Sequence, residues 1–99
     1  MTGKIYCISN DINNKKYIGK TTYINIDNRM AEHLRDYKKS RNEKRPLYDA
    51  MTLYGTEHFS ISLIEECDLS ILNEREQYWI AFYDTYHNGY NATKGGDGK

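Results

Sequence analysis

Two short apolar runs, Lys4-Ile5-Tyr6-Cys7-Ile8 and Lys16-Tyr17-Ile18-Gly19-Lys20, flank the turn-prone stretch Asn10-Asp11-Ile12-Asn13-Asn14. Both runs are rich in isoleucine and tyrosine, which suit a pleated, half-buried surface, and asparagine and aspartate tolerate the backbone angles of a turn. The stretch therefore predicts a β-hairpin. Because side chains alternate along a strand, Ile5 and Cys7 share one face, Tyr6 and Ile8 share the other, and Tyr17 shares a face with Gly19. Which tyrosines oppose each other depends on the register, which these residues alone leave open.

Working outward, a loop from Thr21 to Ile26 precedes Met30, Leu34 and Tyr37, whose spacing predicts a helix from Asn28 to about Lys39 with Asp27 or Asn28 as its cap. A polar stretch, Ser40 to Arg45, leads to a second helix that opens at Pro46 and stops at Gly55, with Leu47, Ala50, Met51 and Tyr54 as its apolar stripe. Alternation from Phe59 to near Glu65 predicts a third strand. Leu69, Leu72, Glu76, Trp79 and Ile80 recur every three or four residues, so Asp68 to about Tyr83 reads as a third helix. Beyond it, residues 88–93 are expected to form a turn and a short strand. The fold class is α+β: a small antiparallel three-stranded sheet flanked by helices, in the order β-β-α-α-β-α.

A chain of 99 residues supports one small core. No stretch approaches the roughly 20 apolar residues of a membrane helix, and the first residues lack the order of a secretory signal, so a cytoplasmic protein with no membrane contact is expected. Cys7 and Cys67 lie in apolar runs without metal-finger spacing and read as reduced core residues. Ten tyrosines stand against two phenylalanines and one tryptophan, which suits a wet site as well as a small core. Net charge is zero but unevenly spread. From Arg29 to Arg45 seven basic residues face Glu32, Asp36 and Glu43, giving +4, while from Glu57 to Asp84 seven acids face Arg75, giving −6. The basic segment is a candidate phosphate footprint, with a solvated helix face as the plainer reading.

Glu76 is the anomaly in the third helix, a carboxylate within an apolar stripe. Burial of that charge is costly unless a cation or hydrogen-bond donors compensate it. One compensation is an ion pair with a lysine or arginine. The other is a metal, and magnesium is suited because it keeps most of its waters and accepts one or two protein carboxylates. Arg29 and His33, four residues apart, project from one helix face, where a guanidinium matches phosphate and an imidazole can shuttle a proton or donate to a phosphate oxygen, with a solvated helix surface as the plainer reading. Zinc-type spacing and phosphate-cradling glycine loops are absent from the sequence.

Taken in order, these pieces resemble the GIY-YIG nuclease family over nearly the whole chain. The first signature half stands as Lys4-Ile5-Tyr6, with lysine in place of glycine, and the second as Tyr17-Ile18-Gly19. Arg29 and His33 follow on the first helix, then Tyr54-Gly55 and Phe59, then Glu74-Arg75-Glu76-Gln77-Tyr78-Trp79-Ile80, and finally Gly89-Tyr90-Asn91. Some relatives carry a histidine in the loop between the first two helices, where this chain has only Asn42. The resemblance implies a nuclease domain over residues 1–94, with residues 95–99 beginning a linker.

It further implies a metal-dependent DNA endonuclease of the phage or homing type, using magnesium or manganese held by Glu76. Tyr6 is then the general base and Tyr17 positions the water, with exchanged roles left open. Arg29 neutralises phosphate oxygens, His33 assists, and Asn91 orients Glu76 or the loop around it. Lys16, Lys20, Lys38, Lys39 and Arg41 are the candidate DNA contacts, and a separate C-terminal DNA-binding region absent from this chain is the expected partner. The competing readings are a non-catalytic DNA-binding module on the same scaffold and an interaction domain whose tyrosines only fill the core.

Overall fold

The hairpin forms as its residues dictate, and it organises everything else. In the computed structural model, which describes residues 1–39 and 45–96, β1 (Thr2–Asn10) pairs antiparallel with β2 (Lys16–Thr21). Helices α1 (Ile26–Lys39) and α2 (Pro46–Tyr54) follow, then β3 (Phe59–Asp68), α3 (Leu72–Tyr83) and a single helical turn, α4 (Thr85–Asn88). The strand order is β2-β1-β3, so β1 is central and β2 is an open edge. The sheet thus carries the expected α+β plan, with one short helix added at the end.

Alternation along β1 divides the interior in two. Tyr6 and Ile8 pack with Leu47, Tyr48, Ala50, Met51, Phe59 and Tyr90, joined by Met30, Leu34 and Tyr37 of α1. Ile5 and Cys7 pack on the opposite face with Ile18, Cys67, Leu72 and Ile80. The first core lies under α1 and α2, the second under α3. Both cysteines are free and buried, as their apolar settings suggested.

The register that the sequence left open sets Tyr6 opposite Gly19 and Ile8 opposite Tyr17. A Cβ on Gly19 would stand 2.3 Å from the Tyr6 ring and hydroxyl, so glycine is what lets the Tyr6 side chain lie across β2. Tyr6 is completely buried as a result.

Element ends follow local chemistry. Helix α1 begins earlier than expected, because the Asn25 side chain, rather than Asp27 or Asn28, accepts the Asp27 backbone N–H at 2.9 Å. Gly55, at φ 94°, stops α2, and its N–H reaches the Met51 carbonyl. Strand β3 runs past Glu65 to Asp68 because a bulge opposite Ile5 and Tyr6 re-phases it, allowing Gly3 and Thr2 to pair with Cys67 and Asp68. The Asp68 side chain then caps a 3₁₀ turn, Leu69–Ile71, which delays α3 to Leu72.

The short strand expected within residues 88–93 does not form among the described residues. Instead the Asn91 side chain takes the place of a peptide group on the β2 edge. Its Oδ1 accepts from the Ile18 N–H and its Nδ2 donates to the Ile18 carbonyl, both at 2.8 Å. One residue earlier, the Tyr90 N–H bonds the Lys16 carbonyl at 2.9 Å.

Candidate active site

The open edge of β2, the first turn of α1, the start of α2, the middle of α3 and the tail after α4 enclose one cleft of about 260 Å³. Tyr6, Tyr17, Lys20, Arg29, Arg45, Glu76 and Asn91 line it, together with Thr93 and Gly95. Residues scattered from position 6 to position 95 meet there because the sheet brings β1 and β2 against α3 while α1 begins beside them. Of the residues expected at the site, Tyr6, Tyr17, Arg29, Glu76 and Asn91 are thereby brought together.

His33 occupies a different position from the one its helix spacing suggested. It is fully buried, with Nε2 2.7 Å from the Tyr6 hydroxyl and Nδ1 3.1 Å from the Tyr48 hydroxyl. Both ring nitrogens are taken by phenols, and the ring lies behind Tyr6 rather than along the cleft lining. Burial, reinforced by the positive charges of Arg29 and Arg45, pushes its pKa down to about 3. The imidazole is neutral at physiological pH, and Arg45 continues the chain by donating to the Tyr48 hydroxyl at 3.2 Å.

The two signature tyrosines differ in exposure. Tyr6 has no accessible surface, and burial drives its phenol well above the ordinary value. Tyr17 is part-exposed, its ring centroid 6.3 Å from that of Tyr6. Burial also raises the Tyr17 phenol, but Arg45 and Arg29 oppose that rise, Glu76 adds to it, and a hydrogen bond with Tyr6 lowers it. Arg29 itself is bridged to Glu32, whose other oxygen accepts from the Tyr23 hydroxyl at 2.8 Å.

Glu76 is buried on the cleft wall, at 9% exposure. Its Oε1 lies 3.2 Å from the Lys20 ammonium and accepts the Gly96 N–H at 3.1 Å. Of the two compensations weighed from sequence the ion pair is present, and the carboxylate lines a polar cleft. Gly95 and Gly96, expected to open a linker, lie against Glu76 and Gln77, with φ of 88° and 80° that favour glycine. Among the described residues no three His, Cys, Asp or Glu side chains gather as a metal cage. A lone carboxylate in a wet cleft fits a magnesium ion that retains its waters, and it does not fit zinc.

The proposed DNA contacts are dispersed. Lys20 is in the cleft wall, while Lys16 reaches the Asn14 carbonyl and sits 5.9 Å from the Tyr83 ring centroid. Lys38 and Lys39 are exposed in the last turn of α1, about 15 Å along the helix from Arg29 at 1.5 Å per residue. Arg41 and Asn42 fall outside the described residues. Sequence reasoning missed Tyr48 and Arg45 at the site. Tyr48 falls outside the apolar stripe that marks α2, and Arg45 stands out in the sequence only as the end of a basic segment.

The GIY-YIG catalytic domain model matches residues 2–91. Intron-associated endonuclease 1 of Enterobacteria phage T4 is 31% identical over 93 residues, covering 92% of this chain and 37% of that protein. Uncharacterized protein 019R of Invertebrate iridescent virus 6 is 32% identical over 97 residues, covering 90% of this chain and 33% of its own length. The chain thus spans about a third of these relatives. A point mutant of the catalytic domain of intron endonuclease I-TevI aligns with a TM-score of 0.81 at 29% identity, covering 95% of this chain and 96% of that one. A second I-TevI catalytic-domain structure gives 0.78 at the same identity, covering 92% and 98%. With the family model spanning both signature tripeptides, Arg29, Glu76 and Asn91, and with the fold shared throughout, the chain belongs to the GIY-YIG family of endonuclease catalytic domains.

Proposed function

We propose that the domain hydrolyses phosphodiester bonds of DNA with the help of one divalent cation, as the catalytic part of a phage-type or homing endonuclease. The observation that carries this reading is the convergence of Tyr17, Arg29 and Glu76 on one cleft. Arg29 is positioned to neutralise non-bridging phosphate oxygens, and a planar guanidinium matches them two at a time. Tyr17, the more exposed phenol, is the group that meets water, and Tyr6 stands behind it, held by His33. Of the two role assignments that the resemblance leaves open, this is the one in which Tyr17 meets the water, and the complete burial of Tyr6 favours it. Glu76 would hold magnesium, which when bound supplies charge neutralisation at the phosphate and leaving oxygen and cancels the upward push of Glu76 on the Tyr17 phenol. Asn91 keeps the tail closed over Glu76 by clamping it to β2.

The test is incubation of the purified chain with supercoiled plasmid, with and without magnesium. Nicked or linear product that requires the metal is the expected result. Binding without turnover would instead favour a DNA-binding module on this scaffold. No helix among the described residues is long and apolar enough to cross a membrane.

A further inference from the structure

Arg45 lines the same cleft from the junction into α2. Its backbone is extended, at φ −118° and ψ 126°, as the following proline requires, and its carbonyl accepts the first helical bond from Asp49 at 2.9 Å. The residue is therefore anchored on both sides by local geometry. Its guanidinium lies over the Tyr48 ring, 4.3 Å from the centroid, and donates to the Tyr48 hydroxyl at 3.2 Å. Tyr48 is buried and is fixed in turn by His33. Stacking plus one hydrogen bond orients the planar group but uses few of its five N–H donors.

The cleft cations differ in their partners. Lys20 lies against Glu76 and Arg29 against Glu32. Arg45 pairs with no carboxylate among the described residues. A pre-oriented guanidinium lining a polar cleft with Tyr6, Tyr17 and Arg29 is suited to an anion that presents two oxygens to its paired N–H donors. Its charge is also the largest influence opposing the rise of the Tyr17 phenol.

We propose that Arg45 is a second phosphate-binding arginine of the active site, seated on Tyr48 and contacting the substrate strand alongside Arg29. The proposal rests on the nuclease reading above. It gives the cleft two arginines that approach the strand from different elements, α1 and the start of α2. Tyr48 acts through Arg45 and His33 as a positioning residue.

Three versions of the chain decide it: the parent, Arg45→Met and Arg45→Lys. Methionine keeps an apolar stem on the Tyr48 ring without charge, so a role in packing alone predicts near-parental behaviour. Plasmid nicking under single-turnover conditions with magnesium should fall about 10²-fold in Arg45→Met and recover in part in Arg45→Lys, which keeps the charge without the planar fork. Binding to a short fluorescein-labelled DNA duplex, without metal, should lose about 0.9 from its logarithmic salt slope in Arg45→Met, the loss of one phosphate contact. An Arg45→Met protein that nicks within about threefold of the parent, or binds with an undiminished slope, overturns the proposal. If the parent itself does not nick, the nuclease reading fails while the salt slope still decides whether Arg45 meets phosphate. Should Arg45→Met lack a cooperative melt, Arg45→Gln replaces it in both measurements under the same criteria.

Discussion

Glu76 carries two duties at once, since its Oε1 anchors Lys20 and the Gly96 N–H while the carboxylate faces the cleft. Glu76→Gln retains an oxygen for those donors and removes the charge. Cleavage should fall to background, and stability should drop by about 1–3 kcal/mol as a charge-assisted contact becomes a neutral one. A mutant that is folded at the assay temperature and still nicks plasmid in magnesium would falsify the metal-ligand role. His33 makes a separate prediction, in stability. Its pKa is depressed to about 3 in the fold, against an ordinary value near 6.5, so the unfolded chain binds the extra proton between those values. The contribution is fully present above about pH 6.5 and is lost as pH falls toward 3, at about 1.4 kcal/mol per unit. Between about pH 6.5 and 5, above the range where carboxylates titrate, denaturant melts should show this slope in the parent and a flatter one in His33→Gln. Equal slopes would mean that the buried imidazole does not resist protonation as its setting requires.

At the scale of elements, the pairing of β1 with β2 builds the site by placing a glycine where a ring must pass. Gly19→Ala introduces a methyl group 2.3 Å from the Tyr6 ring, and the hydroxyl end of that ring is what His33 holds. The ring has to shift, at a cost of about 1–3 kcal/mol for an overpacked core. Cleavage should fall further than the stability loss explains, because the Tyr6–His33 bond is broken in molecules that remain folded. Nicking by the folded fraction, measured alongside the melt, checks this; parental turnover per folded molecule would show that the strand opposite Tyr6 tolerates bulk. At the neighbouring Ile18 of the same strand, Asn91 secures the tail with side-chain hydrogen bonds where a strand would have needed several residues of matched register.

For the whole molecule, zero net charge makes affinity for DNA depend on where the cations stand. Lys20, Arg29 and Arg45 meet in the cleft, whereas Lys38 and Lys39 lie at the far end of α1. The chain should bind duplex DNA weakly, with a Kd of about 10⁻⁴–10⁻⁶ M at physiological salt, little sequence preference and affinity that falls steeply as salt rises. Fluorescence anisotropy across a salt series checks this, and tight, salt-insensitive binding to one sequence would contradict it. Much of this organisation was legible in the chain. Local patterns, namely alternation at Ile5 to Ile8, Pro46 and Gly55 around α2, and the three- and four-residue spacing through Glu76, determined the elements and their order and singled out Glu76, Arg29 and His33, because each rests on neighbours along the backbone, while Tyr6, Tyr17 and Asn91 entered through the family resemblance. The register that joins Tyr6 to Gly19 was decided only in three dimensions, as were the burial that sets His33 behind Tyr6, the bulge that lengthens β3, and the clamp of Asn91 on β2. So was the place of Arg45 beside Tyr17. Each of these depends on contacts between residues distant in sequence, whose geometry is settled when the two cores close on the faces of the sheet and not by the propensity of any one segment.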